Sequence, residues 1–263
     1  MKLQIFKRSS VTYFNASRFF PPEVRQEVAG LYTYVRKVDD FVDREVADKE
    51  GLEQMWRDTK EGWAGQVPRD PVVREFVDLA LKYNFEWAWI EAFWWAMRQD
   101  LIKKDYKTWE ELEKYIYGSA EVVGLMMARL MRLPADAEKL ARVQGRAMQF
   151  INFVRDVKED WDLGRVYLPL TDRKKFGVKK PGDQGWEQLL RFEVERYRRM
   201  QKEAEKGYRY LPRKYRVAVK TAADMYSWTA EEIYRDPTVV WRRRVKPGVW
   251  RVLARGIANT FWI

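Results

Sequence analysis

Along almost the whole of this 263-residue chain, apolar residues recur three and four apart, the spacing of one helix face. Alternating β-branched runs bounded by turn residues, which mark half-buried strands, are missing. The pattern predicts an all-α fold with helices over about 22–46, 50–63, 70–103 with a break, 108–131, 135–162, 186–207, 212–235 and 248–259. Pro21 and Pro22 start the first helix, Leu133 and Pro134 start the fifth, and Asp236-Pro237 closes the seventh. The one long stretch without helical period, 163–185, is expected to be a functional or mobile loop. No composition shift or fixed-period repeat divides the chain, so one domain over 1–263 is expected.

Composition removes whole classes of chemistry. With no cysteine and no histidine, disulfides, thiolate nucleophiles, His-based triads and imidazole acid–base catalysis are excluded. Carboxylates, hydroxyls, amides, Lys and Arg remain, and hard oxygen ligands select Mg²⁺ or Mn²⁺. Fifty basic against 39 acidic side chains leave a net charge of +11, which favours an anionic partner. The most apolar segment, Phe85 to Met97, is interrupted by Glu86 and Glu91 and reads as a core helix. No run of about 18 apolar residues could span a bilayer, and the N-terminal MKLQIFKRSS carries no signal-peptide pattern, so a cytoplasmic location is expected.

Against that background two acidic clusters stand out. YVRKVDDFVD (34–43) places Asp39 and Asp43 on one helical face with Tyr32 and Arg36, and Asp40 at its edge. QFINFVRDVKEDWDLGRVYLP, from Gln149, places Asn152, Asp156, Glu159 and Asp160 on one face, which Gly145 and Gln149 extend. Carboxylates four apart repel, so each pair costs a few tenths of a kcal/mol if left alone. Two such stripes facing one another would be worse, unless divalent cations and a phosphorylated substrate lay between them. Mg²⁺ commonly bridges one or two carboxylates to phosphate oxygens, with Arg and Lys taking the remaining charge. The pattern therefore points to a diphosphate held between two Asp-rich helices.

The two stretches resemble the paired Asp-rich signatures of the squalene/phytoene synthases. The likeness continues through SSVTYFNASRFFPPEVRQEVAGLYTYVR near the start, YGSAEVVGLMMARLM in the middle, and AADMYSWTAEEIYRD with RRRVKP near the end. What the resemblance implies is an isoprenoid synthase-type helical bundle around a central cavity. The implied reaction is Mg²⁺- or Mn²⁺-dependent head-to-head condensation of two allylic prenyl diphosphates, farnesyl or geranylgeranyl. It would pass through a cyclopropylcarbinyl diphosphate and end as phytoene, dehydrosqualene or squalene, with NADPH needed only for squalene. By the same resemblance Asp39, Asp40, Asp43, Asn152, Asp156, Glu159 and Asp160 are metal positions or their neighbours, with Asp40 secondary. Arg36, Arg155, Arg165, Tyr167, Arg243 and Arg251 match diphosphate contacts or residues that hold the metal-binding helices, and Tyr32 and Tyr226 match cavity tyrosines near the reacting carbons. Phe14, Ser17, Ala29, Gly124 and Gln149 are expected in the pocket. Ser17 and Ala29 are small where the family can place large aromatics, which favours the twenty-carbon substrate and phytoene.

One departure from the family pattern concerns the opening segment, which often carries a His-Ser-Lys-Ser-Phe type sequence. Here Ser9 to Tyr13 stand at those positions and a basic group is missing, with Lys7 or Arg8 as substitutes. Two rival functions differ in class. A basic helical nucleic-acid binder would use the positive charge but has no need of paired carboxylate stripes, so no nucleic acid is expected. Another all-α terpene synthase or prenyltransferase would share the aspartates but does not usually continue into GRVYLP. Near the C-terminus Trp250, Leu253, Ala254, Ile257, Ala258 and Phe261 form an apolar stripe with Arg251 and Arg255 off it. It is expected to pack on the core; peripheral contact with an anionic membrane surface is the alternative.

Overall fold

The helical period is realised throughout. In the computed structural model, which describes residues 11–43 and 46–262, the chain forms α1 (Val11–Ala16), a 3₁₀ turn (Ser17–Phe19), α2 (Pro22–Val42), α3 (Lys49–Trp63), α4 (Pro71–Lys82), α5 (Trp87–Ile102), α6 (Trp109–Ile116) and α7 (Val122–Leu130). It continues through α8 (Glu138–Arg155), α9 (Val157–Asp162), α10 (Leu170–Lys175), α11 (Trp186–Glu205), α12 (Arg213–Arg235), α13 (Val239–Arg242) and α14 (Val249–Trp262). A bridge between Asp105 and Val166 is the one extended pairing among the described residues.

The boundaries follow local chemistry. Pro22 and Pro71 occupy first turns, where a missing N–H costs nothing. The side chains of Asp48, Asp70 and Thr108 accept from backbone N–H groups at the starts of α3, α4 and α6. The break expected within 70–103 falls at Asn84, whose φ of 52° is left-handed. Between α6 and α7 the helix widens to a π segment, Tyr117–Glu121.

Five expectations need correction. The first long helix stops at Val42 with Asp43 as its cap, short of residue 46. The helix expected over 135–162 breaks at Asp156 (φ −96°, ψ 14°), where Arg155 and Arg244 grip the carboxylate. The stretch 163–185 contains α10, which Pro169 precedes, and residues 11–19 form helix where none was assigned. The C-terminal helix inverts its predicted orientation. It seats through Val252, Gly256 and Asn259, while Trp250, Ile257 and Phe261 face outward.

The main core forms around α8, which packs on α7, α11, α12 and the π segment. On α5 the expected core helix buries Trp89, Ile90, Phe93, Trp94 and Met97. The Trp94 indole N–H donates to the Tyr34 hydroxyl, which shares a hydrogen bond with Thr59, so this aromatic layer is satisfied as well as apolar. No helix among the described residues is long and apolar enough to cross a membrane.

Candidate active site

A cavity of about 650 Å³ runs between the helices, walled by α1, α2, α5, the α6–α7 rod, α8 and α12. Its lining residues on α8 run from Leu140 to Arg155, a helical rise of about 22 Å at 1.5 Å per residue. Phe20, Val28, Met131, Leu133 and Leu211 line the far end, and the acidic signatures line the mouth.

At the mouth the two stripes meet. Asp39 and Asp43 line it from the end of α2, and Asn152, Asp156, Glu159 and Asp160 from α8 and α9. Local geometry beyond Asp160 links the sides. Gly164 ends α9 at φ 70°, a left-handed cap that lets the Arg165 N–H close back on the Asp160 carbonyl at 2.7 Å. A side chain at 164 would be strained there, at about 1–2 kcal/mol. The turn sends Arg165 across the mouth, where its guanidinium donates to Asp43 Oδ1 at 2.9 Å and to the Val42 carbonyl at 2.6 Å. Tyr167 follows and donates to Asp100 Oδ1, stacking on Phe153 with centroids 4.1 Å apart. GRVYLP is thus a clasp between the second acidic helix and the first.

The charges are unevenly compensated. Arg155 and Arg244 each grip Asp156 through two nitrogens, at 2.5–3.1 Å. Burial opposes its ionisation, but the two guanidinium groups prevail and hold its pKa below the ordinary aspartate value. Asp39 and Asp160 have no ion-pair partner within contact distance among the described residues. Burial, with neighbouring carboxylates, raises Asp39 well above the ordinary value. Burial and the Asp156 charge raise Asp160 to about 8, and Asp43 across the mouth adds to this. Asn152 Oδ1 is buried without a hydrogen-bond partner. An acceptor left empty beside under-compensated carboxylates fits a hard divalent cation. No three acidic groups among the described residues stand close enough to hold a metal unaided, so such an ion needs further oxygens from its substrate.

The expected residues divide plainly. Tyr32, Arg36, Asp39, Asp43, Asn152, Arg155, Asp156, Glu159, Asp160, Arg165, Tyr167 and Tyr226 all line the cavity, as do Ser17, Gly124 and Gln149. Five expected residues do not line it. Asp40 turns aside to pair with Arg36 at 2.5 Å. Ala29 is fully buried on another face of α2, and Phe14 lies against Arg25. Arg243 lies 3.8 Å from Glu232, and Arg251 sits over the Trp228 ring. Lys7 and Arg8, the suggested replacements for the missing basic group, lie outside the described residues. Arg244 and Lys246 instead supply positive charge at the mouth.

Other lining residues escaped the sequence reading. Tyr13 reaches the cavity from α1, its ring 5.5 Å from that of Tyr226 and 6.4 Å from that of Tyr32. Asp100 is 5% exposed and accepts from both Tyr115 and Tyr167; burial raises its pKa to about 6. A lone Asp ending an apolar helix was the available signal for Asp100. RRRVKP contained Arg244 and Lys246, but only the fold distinguishes them from Arg243.

The family model for squalene/phytoene synthase matches residues 6–251. The chain belongs to the squalene/phytoene synthase family. It is 30% identical to a 15-cis-phytoene synthase of Synechocystis sp. over 263 aligned residues, which cover 92% of this chain and 78% of that one. Its identity to a phytoene synthase of Thermus thermophilus is 34% over 181 residues, covering 67% and 61%. The crystal structure of a dehydrosqualene synthase in complex with ligand matches with a TM-score of 0.86 at 25% identity, covering 99% of this chain and 94% of that one. This squalene/phytoene synthase is a prenyltransferase of the head-to-head class, acting on prenyl diphosphates.

Proposed function

We propose that this enzyme condenses two molecules of geranylgeranyl diphosphate to phytoene, with Mg²⁺ or Mn²⁺ and without NADPH. The observation that carries the reading is the mouth itself, where two carboxylate stripes and an arc of arginines face one another above a long apolar cavity. Arg36, Arg155, Arg165, Arg244 and Lys246 receive the diphosphates. Asp39, Asp43, Asn152, Asp156 and Asp160 hold the metal, with Glu159 beside them. The metal ion, when bound, neutralises charge on the departing diphosphate.

The donor's C1–O bond breaks, and C1 joins the double bond of the acceptor. Loss of a proton closes a cyclopropylcarbinyl diphosphate. The second diphosphate then leaves, the cation rearranges, and a final proton loss forms the central double bond. Tyr13, Tyr32 and Tyr226 present ring faces and hydroxyls to the reacting carbons, while apolar walls exclude the water that would quench a cation.

Two features favour the longer substrate. Ser17 is a small residue on the cavity wall, and the relatives at about this identity are phytoene synthases. A geranylgeranyl chain extends to roughly 20 Å by bond-length arithmetic, within the cavity's length along α8. Such substrates are amphiphilic and the product is insoluble in water, so the reading includes work at a lipid surface.

The decisive experiment incubates the enzyme with farnesyl or geranylgeranyl diphosphate and Mg²⁺, with and without NADPH, and identifies products by mass spectrometry. Phytoene formed equally in both conditions is the expected outcome. A product that requires NADPH, or preferential condensation of farnesyl diphosphate, overturns the proposal. EDTA should abolish turnover and Mg²⁺ or Mn²⁺ restore it.

A further inference from the structure

The described residues include ten exposed large apolar side chains, and four of them, Val249, Trp250, Ile257 and Phe261, sit on α14. Trp250, Ile257 and Phe261 recur at seven and four residues, so they form one stripe along the helix. Their exposures of 84%, 56% and 82% leave the stripe facing away from the protein.

The seat of α14 explains the inversion. Gly256 rests against the Phe19 ring so closely that a Cβ would collide with it. The buried Asn259 amide donates to Thr221 at 3.1 Å and Asp224 at 2.8 Å. Close contact and buried hydrogen bonds thus hold the small and polar face inward. The apolar stripe is left without a protein partner among the described residues.

Charge chooses the occupant. Residues 242–262 carry six basic and no acidic residues. Arg242 and Arg243 lie against Asp236 and Glu232, and Arg244 and Lys246 belong to the cavity mouth. On α14 itself, Arg251 has no acidic contact among the described residues and Arg255 shares Asp224 with Lys220, which leaves that cluster positive. Two copies meeting through this stripe would bring two such basic segments together, whereas an anionic lipid surface complements both the charge and the stripe. The helix also rests on α1, which supplies Thr12, Tyr13 and Ala16 to the cavity wall.

The geometry points to α14 as a surface-lying helix that docks the enzyme on an anionic lipid membrane, inserting Trp250, Ile257 and Phe261 among the acyl chains while Arg251 and Arg255 on the same helix meet the headgroups. This names the lipid surface of the function proposed above and rests on that reading only for its purpose. Vesicle binding requires no turnover, so the two proposals can fail separately.

The test is flotation of the full chain with phosphatidylglycerol or phosphatidylcholine vesicles, comparing wild type with the combined Trp250→Ser, Ile257→Ser, Phe261→Ser variant. Wild type should float with the anionic vesicles, at least tenfold less with the neutral ones, and weaken at least tenfold between about 0.05 M and about 0.5 M NaCl. The variant should lose binding at least tenfold, with its melting temperature and its turnover of detergent-dispersed substrate retained. Undiminished binding by the variant, or equal flotation with neutral vesicles, overturns the inference. So does a wild-type dimer by light scattering that becomes monomeric in the variant without any vesicle binding, because the stripe would then belong to a second copy.

Discussion

Glu121 in the π segment and Asp39 at the cavity mouth are both carboxylates withdrawn from bulk water, but their surroundings differ. Glu121 is fully buried, and each of its oxygens accepts from an arginine, Arg146 at 2.6 Å and Arg142 at 2.8 Å. Asp39, like Asp160 opposite, faces other carboxylates and lacks a contacting cation among the described residues. A satisfied buried ion pair ties helices together; an unsatisfied group stores repulsion that a ligand can relieve. Burial alone does not identify the functional carboxylates. What marks Asp39 and Asp160 is the missing cation, whereas Asp156 and Asp43 keep arginine partners and are marked by their place at the mouth.

The largest expected effect separates these roles in turnover. Asp39→Ala or Asp156→Ala should each reduce kcat at saturating Mg²⁺ by on the order of 10³-fold, the scale of losing one strong electrostatic contact in a transition state. Their melting temperatures should diverge. Asp39→Ala relieves repulsion and leaves the metal-free protein at least as stable, whereas Asp156→Ala frees Arg155 and Arg244 and destabilises it. Near-normal turnover in either variant would remove that residue from the site.

A Glu121→Ala variant should do the opposite. Breaking a buried pair costs about 3 kcal/mol, or roughly 10 °C in melting temperature for a chain of this size. Below its melting range the variant should retain most of its turnover. A large loss of turnover without a thermal shift would place Glu121 among the functional carboxylates after all.

Acid–base behaviour sharpens the comparison further. Asp160 titrates at about 8 in the folded protein, well above the ordinary aspartate value. The folded state therefore binds that proton preferentially, and the stability it contributes is complete at about pH 4 and below and is lost as pH rises toward 8. Chemical denaturation of the metal-free protein at pH 5, 6, 7 and 8 should show declining stability, by at most about 1.4 kcal/mol per pH unit from this group. Asp160→Asn should flatten the decline, and an unchanged slope would assign it to another group.

The smallest effect concerns the cavity wall. Ser17 is 2% exposed and lies on that wall, so Ser17→Phe should shorten the available space and shift preference toward farnesyl diphosphate, by roughly tenfold in relative kcat/KM. Competition between the two substrates measures this directly. No shift would mean that the tail passes elsewhere.

Much of the site was readable because both signatures have helical spacing. Periodicity alone places Asp39 with Asp43, and Asn152 near Asp156, without any tertiary contact. Asp40 belonged to the same motif, yet its angular offset left it paired with Arg36 rather than lining the cavity. The long loop concealed α10, a helix too short to display a full period. Arg243 and Arg244 are adjacent and chemically identical, and no local rule says which faces Asp156.

The sequence by itself determined an all-helical chain, carboxylate–arginine chemistry in place of imidazole or thiol chemistry, and the family, because these depend on composition and on spacing within single helices. Only the tertiary structure decided which charges meet and which apolar face is buried. Asp160 acquires its raised pKa from burial at the mouth, with Asp156 and then Asp43 across the mouth adding to it, and Arg165 reaches Asp43 only after the turn at Gly164. On α14 the hydrophobic pattern predicted the wrong inward face, because close packing at Gly256 and the hydrogen bonds of Asn259 overrode it. Periodicity records which residues share a helical face, but the direction of that face is set by contacts with residues distant in sequence.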